Sequence, residues 1–134
     1  MMPTKTDLGT VLVSGLSSGA TIVLYDGSPS YPNLEKLWKM IDDLGITHFG
    51  TSPKFLGACD TNKILPNKFC NLDSLKCILS TGSPLIKESF EYVYRNLKSD
   101  IHLASISGGT DIVSCFVLGI PHLPVFSCLL YTSP

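Results

Sequence analysis

Three short apolar runs, Ile46–Gly50, Leu75–Ser80 and Ile101–Ile106, each stop at a polar cluster of hydroxyl, glycine or proline residues. The clusters are Thr51-Ser52-Pro53, Thr81-Gly82-Ser83-Pro84 and Ser105 through Asp111. Between the runs stand stretches whose apolar residues recur at helical spacing, so the chain alternates strand and helix. Strands joined through helices pair in parallel, with right-handed crossovers. The predicted class is α/β, a mostly parallel sheet with flanking helices. Ligands of such sheets bind beyond the carboxyl ends of the strands, which puts the three polar clusters along one candidate rim.

Taken in order, Leu8, Val11, Leu12 and Leu16 mark a first helix, with Gly19 where a C-cap glycine would stand. Ala20–Tyr25 (ATIVLY) is predicted as a short buried strand, and Asp26-Gly27-Ser28-Pro29 as a turn. Leu34, Leu37, Trp38, Ile41 and Leu44 form one apolar stripe closed by Gly45, with Trp38 in the core rather than on a ligand. Ser52 is placed to cap a helix that Pro53 opens and that runs to Cys59. Ser83 and Pro84 repeat that pairing ahead of Ile86, Phe90, Val93 and Leu97. Two strand ends would then open helices, whose free N–H groups and dipole suit an anion.

Composition narrows the partners. Charged residues are 16% against about 25% in ordinary soluble proteins, while apolar residues reach 44%. That balance fits a parallel sheet covered on both faces, or a piece of a larger protein whose surfaces meet neighbours. A net charge of −1 argues against nucleic acid or an anionic membrane as partner. No apolar run reaches the ~18 residues of a membrane span. Cys59, Cys70, Cys77, Cys115 and Cys128 show no CxxC spacing and read as small buried hydrophobes of a reducing, cytoplasmic chain. His48, His102 and His122 are isolated and read as packed or surface residues.

The densest chemistry lies in Ser105-Ile106-Ser107-Gly108-Gly109-Thr110-Asp111. Two glycines permit close backbone approach to a ligand. Thr110 and Asp111 supply a hydroxyl and a carboxylate, a pairing suited to a phosphate and its Mg²⁺. The same seven residues also read as a turn between two buried strands, with Thr110 and Asp111 bonding their own backbone. The sequence contains no HExxH, GxxxxGK[ST] or GxGxxG motif to compete with the nucleotide reading.

Gly19-Ala20-Thr21, Leu24 to Pro29, Leu79 to Leu85 and Ile106 to Ile112 together resemble the acetoacetyl-CoA synthetases, a family of adenylate-forming acyl-CoA synthetases. The resemblance covers residues 8–126 as part of the AMP-binding N-terminal domain; residues 1–7 and 127–134 do not continue it and read as artefactual ends. It implies an acetoacetate–CoA ligase that joins its substrate to ATP, releases pyrophosphate, and passes the acyl group from AMP to coenzyme A. By resemblance, Gly82, Ser83, Pro84, Ser105, Ile106 and Thr110 bind nucleotide, and Asp111 helps hold Mg²⁺, although many members carry the longer glutamate there. Thr81, Ser107, Gly108 and Gly109 are implied for the acyl pocket. Acetyl-CoA synthetases carry two tryptophans where Ser107 and Gly108 stand. Losing a ring there opens space on the order of a hundred cubic ångströms, room for a longer acyl chain. Thr81 could hydrogen-bond a keto oxygen or simply its own strand end.

The family's phosphate loop and adenylating lysine are not found in the sequence. The resemblance therefore implies no catalytic residue and little or no adenylation by these 134 residues. Its partners would be acetoacetate, ATP, CoA and the rest of a parent chain. Three alternatives stay open: a non-catalytic nucleotide- or acyl-binding fragment, a ligase for another short-chain acyl acid, and a chain without stable function whose bare sheet edges invite aggregation.

Overall fold

A computed structural model describes residues 15–109 and 114–132 of the chain, without the side chains of Ser114, Tyr131 and Thr132. The first helix of the sequence reading falls mostly outside this range. Its end at Gly19 is seen, with φ +72° and the Gly19 N–H donating to the Leu16 carbonyl at 3.0 Å.

Helices α1 (Lys36–Leu44), α2 (Pro53–Thr61) and α3 (Lys87–Asn96) alternate with strands β1 (His48–Thr51), β2 (Cys77–Ser80) and β3 (His102–Ser105). The strands lie in the order β1-β2-β3 and every pairing is parallel. Phe49, Ile78 and Leu103 stand opposite one another across the register. Their shared face is buried in one core with Leu37, Trp38 and Ile41 of α1, Phe55, Leu56 and Cys59 of α2, and Phe90 and Val93 of α3. Trp38 is fully buried, its ring 5.6 Å from Phe49 and 5.7 Å from Phe55. The alternation read from the sequence is the alternation that folds.

Local chemistry sets the boundaries. Gly45 takes φ +61° and closes α1 with N–H bonds toward Asp42 and Ile41 carbonyls, a conformation that costs glycine little. Ser52 accepts the Phe55 N–H at 3.3 Å, and Pro53 fills the first turn of α2. Lys98 reaches back between strands, donating to the carbonyls of Asp73 at 3.1 Å and Leu75 at 3.2 Å.

Four expectations are corrected. Ala20–Tyr25 forms no strand, and Val23 and Leu24 are exposed. A β-branched run becomes a strand only where a neighbour takes up its backbone groups, and no strand among the described residues pairs with it. Ser83 does not cap α3, which starts three residues after Pro84 with Ile86 at the cap position and no side-chain cap bond. Gly82, at φ +97°, swings the chain away before helical geometry begins. Ile86 is consequently exposed rather than part of the α3 stripe. Among the cysteines Cys59 and Cys77 are buried, but Cys128 is exposed; all five are free.

A second sheet was not foreseen as such. β4 (Ser107–Gly109), β5 (Ser114–Leu118) and β6 (Tyr131–Thr132) form an antiparallel sheet in that order. Gly119 leaves β5 directly against β3: a Cβ there would lie 2.7 Å from His102 Nε2 and 2.8 Å from Ala104 Cβ.

Candidate functional site at the strand ends

Parallel register brings the three polar clusters to one level. Thr51 stands opposite Ser80, and Ser80 opposite Ser105. The chain beyond them is laced together by the Thr81 N–H donating to the Thr51 carbonyl at 3.3 Å and the Ile106 N–H donating to the Ser80 carbonyl at 2.8 Å. Thr81 and Ile106 are thereby held side by side at the carboxyl edge, both half-buried. Gly82, Ser83 and Pro84 follow as an exposed turn.

Pro84 and Ser105 meet on a cavity of about 370 Å³. Leu85, Ile86 and Lys87 complete one wall, and Cys128 and Leu130 supply the other. Ile86 and Lys87, which border the cavity, stand at the start of α3, the positive end of its dipole. Lys87 itself pairs with Glu91 at 3.6 Å. The space thus offers almost wholly apolar walls, with Ser105 buried at their edge, a lining that suits the face of a planar ring.

Of the six residues read as nucleotide-binding, Pro84 and Ser105 line the cavity. Gly82, Ser83 and Ile106 are within a few residues along the same edge. Thr110 and Asp111 lie outside the described residues. On the acyl side, Thr81 ends β2, while Ser107, Gly108 and Gly109 form exposed β4. β4 pairs with β5 through Ser107–Val117, Gly108–Cys115 and Gly109–Ser114, with a bulge after Ser107. These three residues follow Ile106 directly but are not on the cavity wall.

Two features were missed. Ser80 is fully buried and its Oγ has no hydrogen-bond partner. The signal was present: a serine two positions after Ile78 must share its sheet face, so a hydroxyl was bound for the core. The wall made by Cys128 and Leu130 had no comparable signal, because it depends on a pairing between distant segments, β5 with β6.

The titratable groups near the sheet respond mainly to burial. Burial pushes the Cys77 thiol up to about 11 and also raises Cys59. It lowers His102, opposite Cys77 in register, below its ordinary 6.5. None of these becomes a nucleophile or charged group near neutrality, and Cys77 and His102 stand at the amino ends of β2 and β3, away from the rim. Among the described residues no cluster of His, Cys, Asp or Glu could hold a metal ion. No helix there is long and apolar enough to cross a membrane.

Comparisons with known proteins agree with this geometry. The model of the family described as AMP-binding enzyme matches residues 1–124. Acetoacetyl-CoA synthetase of Gallus gallus is 50% identical over 115 residues, covering 86% of this chain and 17% of that protein. Malonamoyl-CoA synthetase of Penicillium aethiopicum is 44% identical over 124 residues, covering 82% of this chain and 17% of the relative. The solved structure of acetoacetyl-CoA synthetase from Streptomyces lividans superposes with a TM-score of 0.83 at 40% identity, over 90% of this chain and 19% of that one. The chain therefore spans under a fifth of the length of these relatives. By the family match and the fold, the chain belongs to the AMP-binding enzymes.

Proposed function

We propose that this chain is the strand-end portion, residues 8–126, of the adenylation domain of an acetoacetate–CoA ligase. In that reading the parent protein activates acetoacetate with ATP to acyl-AMP and transfers the acyl group to CoA, in the lipid metabolism of the cytoplasm. The observation that carries it is the register Thr51–Ser80–Ser105, which brings the Gly82–Pro84 turn to the same strand ends as Ser105 and Ile106, with Pro84 and Ser105 lining one cavity. The segments that resemble the family's adenine-binding motifs are therefore neighbours in space. Gly82, Ser83, Pro84, Ser105 and Ile106 would hold the adenosine end, Thr110 the α-phosphate, and Asp111 the Mg²⁺. Thr81, Ser107, Gly108 and Gly109 would face the acyl group. Supporting the substrate assignment, relatives at 50% identity carry the name acetoacetyl-CoA synthetase.

A second reading, a ligase for another short polar acyl acid, is favoured by the malonamoyl-CoA synthetase relative. Both acids place a polar carbonyl group two carbons from the carboxylate, so a glycine-opened pocket would take either. Calorimetry of the 134-residue chain with AMP and with non-hydrolysable acetoacetyl-AMP and malonamoyl-AMP analogues tests the site and ranks the acids. Tighter binding of the acetoacetyl compound than of AMP supports the first reading. Absence of binding by all three overturns the nucleotide assignment. The isolated chain is expected to release no acetoacetate-dependent pyrophosphate, since it lacks the lysine and phosphate loop.

A further inference from the structure

The second wall of the rim cavity comes from a segment that the family match does not reach, since the match ends at residue 124. The chain turns at Phe126–Leu129, where the Leu129 N–H donates to the Phe126 carbonyl at 3.2 Å. The Cys128 thiol then points at the Leu85 carbonyl, 3.7 Å away, and Cys128 and Leu130 face Pro84 and Ser105 across the cavity. Beyond them β6 anchors the segment on β5, Leu118 opposite Tyr131 and Val117 opposite Thr132. We propose that residues 126–132 are a strap that occupies part of the nucleotide rim and competes with the ligand for it. The proposal rests on the nucleotide reading of that rim given above.

Three observations make the strap displaceable rather than a fixed wall. Its anchor is a ladder of only two residues. Cys128 sits at φ +64°, a left-handed conformation that a residue with a Cβ adopts only under constraint. Phe126, Leu129 and Leu130 leave much of their apolar surface in water, so docking hides little of it. A tethered segment acts at high effective concentration. A ligand that needs the unstrapped state binds with its intrinsic affinity reduced by the fraction in which that state is populated. A strap seated nine-tenths of the time would weaken binding about tenfold.

The test titrates AMP into the full 134-residue chain and into the same chain carrying Leu130→Asp, whose carboxylate cannot rest on the apolar wall. In parallel, the rate of iodoacetamide alkylation at Cys128 is followed on its own peptide by mass spectrometry. Leu130→Asp is expected to bind AMP about tenfold more tightly and to alkylate faster at Cys128, its thiol released from the Leu85 carbonyl. In the unchanged chain, saturating AMP should accelerate Cys128 alkylation severalfold, a readout that needs no variant. Equal AMP affinities in the two chains, or a Cys128 rate indifferent to bound AMP, overturn the strap. If Leu130→Asp frees Cys128 and neither chain binds AMP, the nucleotide reading fails, and competition by the strap fails with it.

Discussion

Ser80 and His102 stand at opposite ends of adjacent strands and on opposite faces of the sheet, and they make opposite demands. Ser80 shares the core face with Ile78, and its buried Oγ has no partner. An unpaired buried hydroxyl costs about 1–3 kcal/mol relative to a satisfied one. Ser80→Ala is therefore expected to leave thermal stability equal or higher, measured as Tm; a clear drop would mean the hydroxyl is paired in solution. His102 lies on the other face, where Gly119 passes against its ring, and burial holds its imidazole below 6.5. Because the unfolded chain binds the proton more readily, the stability tied to neutral His102 is present above pH 6.5. It is lost as pH falls from there through the folded value. Tm should drop between pH 7.5 and pH 5, and the drop should shrink in His102→Gln. An identical pH profile in the variant would remove His102 from the account. Gly119→Ala should cost about 1–3 kcal/mol, read in denaturant unfolding, since its methyl would overlap His102 and Ala104.

The two serine–proline pairs show how far elements could be read from letters. Ser52-Pro53 and Ser83-Pro84 look alike, and only the first opens a helix. The difference is Gly82, whose φ of +97° turns the chain across the rim before α3 begins. Glycine's permissiveness is visible in a sequence, but the sign of φ that it adopts is not. Ser52→Ala should accordingly destabilise by about 1 kcal/mol, while Ser83→Ala leaves Tm within error. Denaturation of the two variants checks both, and equal losses would restore Ser83 as a cap. The parallel sheet was legible because periodicity changes sharply at each strand. Ala20–Tyr25 misled for the complementary reason: strand propensity is a preference for having neighbours, and the neighbour is encoded elsewhere. The rim was legible for the same topological reason as the sheet, since the strand ends of a parallel array must lie together. Its second wall was not, because the β5–β6 pairing that delivers Cys128 and Leu130 is long-range.

For the whole molecule, the distribution of apolar surface is the informative quantity. The Phe49, Ile78 and Leu103 face is buried under helices, while His48 and Gly50 on the reverse of β1 are exposed. Val23, Leu24, Tyr31, Phe116, Phe126 and Leu129 are exposed as well. Cys77 and Ala104 on the same reverse face are buried, so the opening is confined to β1. Parallel sheets of free-standing proteins are covered on both faces, and large exposed apolar residues mark surfaces that expect contact. The chain spans 17% of the length of the Gallus gallus relative. Left to itself, the chain should cover those surfaces with its own copies. Sedimentation equilibrium is expected to show mass rising with concentration, the unpaired Ala20–Tyr25 run being the most exposed strand-forming edge. Leu24→Lys places a charge on that run at a residue 67% exposed, where it removes no core contact. It should move the equilibrium toward monomer with Tm unchanged. If the unmodified chain stays monomeric at every concentration, the open surfaces are not adhesive, and the composition that first pointed to a larger protein needs another cause.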